Sequence, residues 1–276
     1  VDGSEDHVIP DGLTGRRAHP DFSRDGTMLA FDRLADEDGA DQTYVANAEG
    51  SEPRLVGACD PPDCLDTWEP AWSPDGRTLA VVTAGGPLGA DGPATFGLAI
   101  LDVASGKATP ILVHPASNGQ DHFPRWSKDA SKLVFWRERP ASNGSPESAI
   151  FVIDAKGGEP RQLTDWSLMA SDPDWSPDGS AIVFTTYPLV DFPTTGQSNL
   201  STMAPDGSNK RAITAFGPSG PRATQPRWSP DGLAILYTRT TQTGSPRTIW
   251  AIGADGANEL PVIGHLATHP ILQPTP

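Results

Sequence analysis

One unit recurs along the 276 residues, so whatever this chain folds into must give each copy equivalent surroundings. The copies read HPDFSRDGTMLAFDR from His19, EPAWSPDGRTLAVVT from Glu69, FPRWSKDASKLVFWR from Phe123, DPDWSPDGSAIVFTT from Asp172 and QPRWSPDGLAILYTR from Gln225. A sixth, HPILQPTP from His269, starts and stops. The prolines fall at Pro20, Pro70, Pro124, Pro173, Pro226 and Pro270, a period of about 50 residues.

Each copy carries the material of four short strands. The P-x-W/F-S stretch opens a first strand, entered by a proline whose missing N–H is tolerated at a strand start. S-P-D-G follows, with proline pre-set for the first central turn position and Asp-Gly to close it. The second strands are apolar and rich in β-branched or aromatic residues: LAFD, LAVV, LVFW, IVFT and ILYT. After a variable loop come a third strand, such as AIFVIDA, and a fourth, such as PRQLT. Four antiparallel strands per period is the pattern of a β-propeller blade. The chain is therefore expected to be all-β, a single propeller domain over 1–276 with first strands starting near 19, 69, 123, 172, 225 and 269. Phe22, Trp72, Trp126, Trp175 and Trp228 are expected to pack between neighbouring blades as core.

Composition agrees and excludes other classes. The 28 glycines and 29 prolines fill about a fifth of the chain, which disfavours a helical protein. No apolar run approaches the ~20 residues that cross a bilayer, so membrane insertion is not expected. Thirty-five acidic against 20 basic residues give a net charge of -15, which repels phosphate backbones and makes nucleic acid an unsuitable partner.

The P-x-W-S-P-D-G units resemble PD40 repeats, also called WD40-like β-propeller repeats, as found in the TolB-type propeller. The likeness covers nearly the whole chain. It departs at Arg24 and Lys128, which stand in the place of the turn proline, at Ala130 in the place of the turn glycine, and at Leu272 in the place of the tryptophan. Losing both turn residues in the third unit predicts a differently shaped turn there. Propellers of this kind commonly close by docking a C-terminal first strand against N-terminal strands. Here Val1 to Gly3 aligns with the end of a third strand, His7 to Leu13 with a fourth, and HPILQPTP with a first. These ends predict a six-bladed ring with an incomplete sixth blade; the alternative is a five-bladed ring with both ends used as clasps.

The two cysteines, Cys59 and Cys64, lie in ACDPPDCLD. A disulfide closing this loop is the first reading, which points to an oxidising compartment; two free thiols and a contribution to a metal site stay open. No signal peptide is visible, so an exported protein would be present here in its mature form. Fifteen arginines against five lysines, with abundant Ala, Gly and Pro, fit a GC-rich bacterial source. The expected location is extracytoplasmic: periplasmic, secreted or anchored at the cell surface.

First strands line the central channel of a propeller, and the loops entering them rim one mouth. His19, Glu69, Phe123, Asp172, Gln225 and His269 precede the repeat prolines and are expected to form a ring there, with Asp121 and His122 one step further out and Trp68 alongside. The polar members are either solvated at a wet mouth or hold a ligand; His19, Glu69, Asp172 and His269 offer the imidazole and carboxylate donors that suit a divalent metal ion. One residue past the prolines, Asp174 falls between Arg125 and Arg227, so opposite charges should alternate around the channel. They either pair with one another or grip a ligand carboxylate. The turn aspartates Asp25, Asp75, Asp129, Asp178 and Asp231 have a sufficient explanation in turn geometry. His7, His114 and His265 fall in or near fourth strands and are expected to stay apart.

G-x-S-x-G, H-E-x-x-H, a P-loop and paired C-x-x-C motifs are all lacking, and no catalytic residue is assigned. Resemblance to TolB implies a non-enzymatic binding or scaffold propeller that holds a protein segment, peptide or small ligand at the channel mouth. The alternative is a metal-dependent enzyme of the propeller polysaccharide-lyase type, implied by resemblance to oligogalacturonate lyases.

Overall fold

The computed structural model describes residues 16–34, 41–57, 66–85, 95–187, 197–241 and 247–263. Blade 1 consists of β1 (Arg16–Phe22), β2 (Met28–Leu34), β3 (Gln42–Asn47) and β4 (Arg54–Leu55). Blade 2 consists of β5 (Asp66–Trp72), β6 (Thr78–Gly85), β7 (Thr95–Asp102) and β8 (Ala108–Pro115). Blade 3 consists of β9 (Gln120–Trp126), β10 (Lys132–Pro140), β11 (Pro146–Asp154) and β12 (Arg161–Gln162). Blade 4 consists of β13 (Ser171–Trp175), β14 (Ile182–Thr186), β15 (Asn199–Met203) and β16 (Arg211–Ala212). Blade 5 consists of β17 (Arg222–Trp228), β18 (Ala234–Thr240), β19 (Thr248–Gly253) and β20 (Leu260–Ile263). Each sheet is an antiparallel meander in sequence order.

The all-β propeller of four-stranded antiparallel blades is thus as expected, but the described residues form five blades, matching the five-bladed alternative and not the six-bladed reading. The segments assigned to a sixth blade, residues 1–15 and the chain from 264 on, lie outside the described residues. So do Cys59, Cys64 and His269.

Apolar side chains fill the gaps between blades. Trp72 packs with Ala30, Val45 and Leu79 between blades 1 and 2, and Trp175 with Val134, Ile150 and Phe184 between blades 3 and 4. Trp126 and Trp228 occupy the corresponding places at the other two junctions. The repeat tryptophans are core, as the sequence predicts.

The S-P-D-G turns are built alike in all five blades. The serine hydroxyl donates to the aspartate Oδ1 and in turn accepts the amide five residues on, as in Ser73–Asp75 (2.6 Å) and Thr78 N–Ser73 Oγ (3.1 Å). The turn amide returns to the serine carbonyl, as in Gly76 N–Ser73 O (3.0 Å). These hydroxyls hold Asp129 and Asp178 down at about 2. The third turn is not differently shaped. Ser127 and Asp129 make the same bonds, and Ala130 N reaches Ser127 O at 3.0 Å. Ala130 takes the left-handed conformation of the missing glycine, φ 57°, because the side-chain network defines the turn more strongly than the glycine does.

Candidate functional site: the two ends of the channel

The five residues before the repeat prolines share a backbone conformation rare for residues with a side chain. His19, Glu69, Phe123, Asp172 and Gln225 have φ of 50°, 53°, 48°, 51° and 56°. Each sits with its proline in a bulge where two residues of the first strand oppose one of the second: Ala18 pairs with Asp32 and Asp21 with Ala30 in blade 1, and the other blades repeat the register shift. Left-handed backbone costs a non-glycine residue roughly 1–2 kcal/mol. Repeated in every described blade, it is a fixed part of the architecture, and it turns these side chains towards the channel axis.

The ring is tight and internally bonded. His19 of blade 1 and Phe123 of blade 3 touch edge to face, ring centroids 5.2 Å apart. Asp32 Oδ1 accepts the Glu69 amide (3.2 Å) and faces His19 Nδ1 at 2.8 Å. Glu69 Oε2 accepts the Phe123 amide at 2.6 Å, and Glu69 Oε1 lies 3.4 Å from His122 Nδ1. Asp172 accepts from Ser171 Oγ (2.9 Å) and from the Gln225 amide. Glu69, Phe123 and Asp172 are buried, while His19 and Gln225 are partly exposed. Burial raises the carboxyl of Asp172.

His122 lies over this ring, stacked on Trp136 with centroids 4.4 Å apart. Its Nε2 is 3.7 Å from Glu138 Oε1, an ion-pair distance too long for a hydrogen bond. Burial opposes its charge, but Glu138 and Glu69 outweigh burial and raise its pKa to about 9. Trp68 lies edge-on to Phe96 (6.4 Å), half-buried between blades 2 and 3.

Asp121 stands differently from expectation. Asp121 is fully buried, held bidentately by Arg137 (2.6 and 3.0 Å) and by His114 Nε2 (2.7 Å). The contact with His114 crosses the junction of blades 2 and 3; His7 and His265, expected to stay apart from His114, lie outside the described residues. The sequence offered no signal for this, because β8 and β9 become neighbours only through the hairpin at 116–119.

The opposite end of the channel, where the S-P-D-G turns lie, holds a cavity of about 460 Å³. Asp21, Arg125 and Asp174 line it together with the repeat aromatics. The expected Asp–Arg pairs are not made: among the described residues no ion pair within 4.0 Å joins Asp21 or Asp174 to Arg125 or Arg227. Instead Asp21 accepts the Trp72 amide (2.8 Å) and Asp174 the Trp228 amide (2.9 Å), each reaching to the next blade. Burial raises both carboxyls, while Arg125 and Arg227 pull them down. Arg125 and Arg227 each donate to the carbonyl of the preceding proline (3.0 and 2.9 Å), and the buried Nε of each has no partner. Sequence reasoning offered Arg125 and Arg227 as grips for a ligand carboxylate but grouped them with the ring at one mouth; the turn-end cavity that Arg125 lines it missed, although the two prolines replaced by Arg24 and Lys128 were a signal.

Comparison with known families is decisive at one level. The sequence matches the PD40 family, the TolB beta propeller domain, over residues 65–269. The chain belongs to this family. An uncharacterized protein of Agrobacterium fabrum, Atu1656, is 26% identical over 221 residues, 79% of this chain and 68% of that protein. The uncharacterized peptidase YuxL of Bacillus subtilis is 30% identical over 132 residues, but the chain matches 19% of that peptidase's length. Among solved structures, a putative TolB from Agrobacterium tumefaciens matches with a TM-score of 0.68 at 20% identity, covering 90% of this chain and 81% of that one. An oligogalacturonate lyase in complex with manganese matches with a TM-score of 0.60 at 21% identity, covering 87% and 63%. At these identities the structural likenesses establish the TolB-type propeller fold, which hosts unrelated activities.

The chemistry of the ring fits holding better than reacting. Among the described residues its carboxylates are committed to backbone amides, imidazoles and, at Asp172, the Ser171 hydroxyl. A manganese-type site does not fit what is described: no group of three or more His, Cys, Asp or Glu side chains gathers to hold a metal ion among the described residues. Of the four donors expected for one, His269 lies outside those residues. No helix among them is long and apolar enough to cross a membrane.

Proposed function

We propose that this TolB-family propeller is a non-catalytic binding or scaffold module that holds a protein segment or small ligand against the ring end of its channel, outside the cytoplasm of a bacterium. The observation that carries the reading is the left-handed backbone at His19, Glu69, Phe123, Asp172 and Gln225. Strained conformations repeated on one rim are kept where a surface must be pre-organised, and rigid presentation lowers the entropic cost of binding. The second strands end on this rim, as the pairings of Asp66 with Ala84 and of Arg222 with Thr240 require. Of the loops that follow them, the described one, 141–145, is largely exposed and able to add specificity to a fixed base.

The extracytoplasmic location and a protein partner are drawn from kinship with TolB. The test is capture from cell-envelope extract by the tagged protein, compared with His122→Ala and Trp68→Ala and with a variant altered at the turn end. Loss of one defined partner with the ring-end changes alone supports the reading. Equal capture by all variants overturns it. Elemental analysis of protein never exposed to chelator tests the metal-dependent alternative: about one transition metal per chain, lost in His19→Ala, would replace the binding reading with the enzymatic one.

A further inference from the structure

At the position after the turn serine the five turns differ, and the difference is directional. Blades 2, 4 and 5 carry Pro74, Pro177 and Pro230 after the turn serine; blades 1 and 3 carry Arg24 and Lys128. All five residues line the cavity at the turn end of the channel. In a chain with net charge -15, both replacements of the turn proline bring a cation to one cavity. Neither Arg24 nor Lys128 makes an ion pair among the described residues. Turn geometry does not require them, since the serine and aspartate bonds are the same with or without proline.

Deeper in the cavity lies Arg125, more than nine-tenths buried, its Nε without a partner. A guanidinium carries five donors. The one hydrogen bond recorded here runs to the carbonyl of its own neighbour, Pro124. A buried cation left without an ion-pair partner is costly unless something else completes its shell. Asp21 and Asp174 share the cavity, but their carboxylates are turned to the amides of Trp72 and Trp228. The lining therefore offers three cations against two carboxylates that are already engaged. Around them stand the aromatic rings of the first strands, including Trp126 and Trp228, and the turn prolines.

We propose that this cavity is a binding site for a small carboxylate with an apolar body: the carboxylate on the Arg125 guanidinium, drawn in by Arg24 and Lys128, and the apolar part against the tryptophans and prolines. The volume of about 460 Å³ lies in the range of small-molecule sites. The site is separate from the ring end and stands whether or not that end binds a partner.

The probes are sodium benzoate, its neutral isostere benzamide, and inorganic phosphate. Binding is followed by tryptophan fluorescence and by the NMR signal of Arg125 Nε–H. Benzoate should saturate and shift that signal, with benzamide about tenfold or more weaker, the value of a hydrogen bond to a charged group. Arg24→Gln with Lys128→Gln, both on exposed turns, should leave the melting temperature unchanged and weaken benzoate about threefold, with a smaller dependence on salt. Arg125→Lys keeps the charge that offsets the buried Asp21 and Asp174 carboxylates, so it should melt near the parent but bind benzoate about tenfold more weakly for want of the guanidinium fork. Equal affinity for benzoate and benzamide, no saturation by benzoate, or unchanged affinity in Arg24→Gln/Lys128→Gln would overturn the proposal. Phosphate binding more tightly than benzoate would overturn the carboxylate assignment.

Discussion

Glu69 Oε2 lies 2.6 Å from the backbone nitrogen of Phe123, the residue at the same repeat position one blade on. The contact is one of a set. Asp21 reaches Trp72, Asp174 reaches Trp228, and Asp172 reaches Gln225, each a carboxylate accepting an amide of the next first strand. Blades 1–2, 2–3 and 4–5 are joined this way near the channel. Blade 3 carries Phe123 and Arg125 at the two positions concerned, so its junction with blade 4 relies on the apolar cluster around Trp175 and Phe184.

Replacing Glu69 by alanine strands the Phe123 amide in a buried site. An orphaned buried donor costs about 1–3 kcal/mol, with more for the lost charge assistance. Urea denaturation of Glu69→Ala should show a loss of at least that size. Glu69→Gln retains an acceptor and should lose less; equal losses would mean that the amide bond is not what the carboxylate contributes.

The buried group at Asp121 predicts a larger effect. Its carboxylate is fully buried, pairs bidentately with Arg137 and lies 2.7 Å from His114 Nε2. Removing one partner of a buried ion pair costs about 3–5 kcal/mol, because the remaining charge is left uncompensated. Asp121→Ala should therefore melt far below Asp154→Ala, whose pair with Lys132 is exposed. Comparable melting temperatures would show that Asp121 is not the centre of this junction.

Much of this architecture was legible in the chain because the repeat is local. Serine, aspartate and glycine lie within four residues of one another, so the turn and the two strands it joins follow from spacing alone. What was not legible depends on curvature. The left-handed backbone at His19, Glu69, Phe123, Asp172 and Gln225 has no residue type in common, only a following proline. Asp174 was expected beside arginines because charge alternates with blade number. In the folded ring a nearer amide, that of Trp228, takes the carboxylate instead. His114 and Asp121 are seven residues apart on different blades, and nothing in either strand's pattern marks them as partners.

The third turn gives a stabilising prediction. Ala130 holds φ 57°, where glycine is unstrained. Ala130→Gly removes the left-handed penalty at some cost in unfolded-state entropy, for a net gain of about 0.5–1 kcal/mol. The same change at Ala141, outside any left-handed position, should destabilise slightly. A thermal melt of Ala130→Gly below the parent would contradict the conformation.

The turn aspartates set the acid limit. Hydrogen bonds from Ser127 and Ser176, and from the amides of Ser131 and Ser180, hold Asp129 and Asp178 at about 2. A carboxyl depressed in the folded state contributes stability above its unfolded value, and that contribution is lost as pH falls towards the folded one. The melting temperature should decline between pH 4 and pH 2, and less steeply when both residues are changed to asparagine.

At the alkaline end the sign reverses, and His122 is the group concerned. It faces Glu69 from β5 and Glu138 from β10, and stacks on Trp136. Its folded pKa of about 9 lies above the ordinary 6.5. A base raised in the folded state contributes stability that is complete below the unfolded value and is lost as pH rises through the folded one. The ring end should therefore loosen between pH 7 and pH 9. An NMR titration of the imidazole, read beside the fluorescence of Trp136, checks this directly. Glu138→Gln removes one of the two carboxylates and should move the midpoint down, while His122→Gln should flatten the pH dependence of the melting temperature over the same interval. If His122 titrates near 6.5 in the parent, the two carboxylates do not hold it charged, and the ring end is not fixed by that pair.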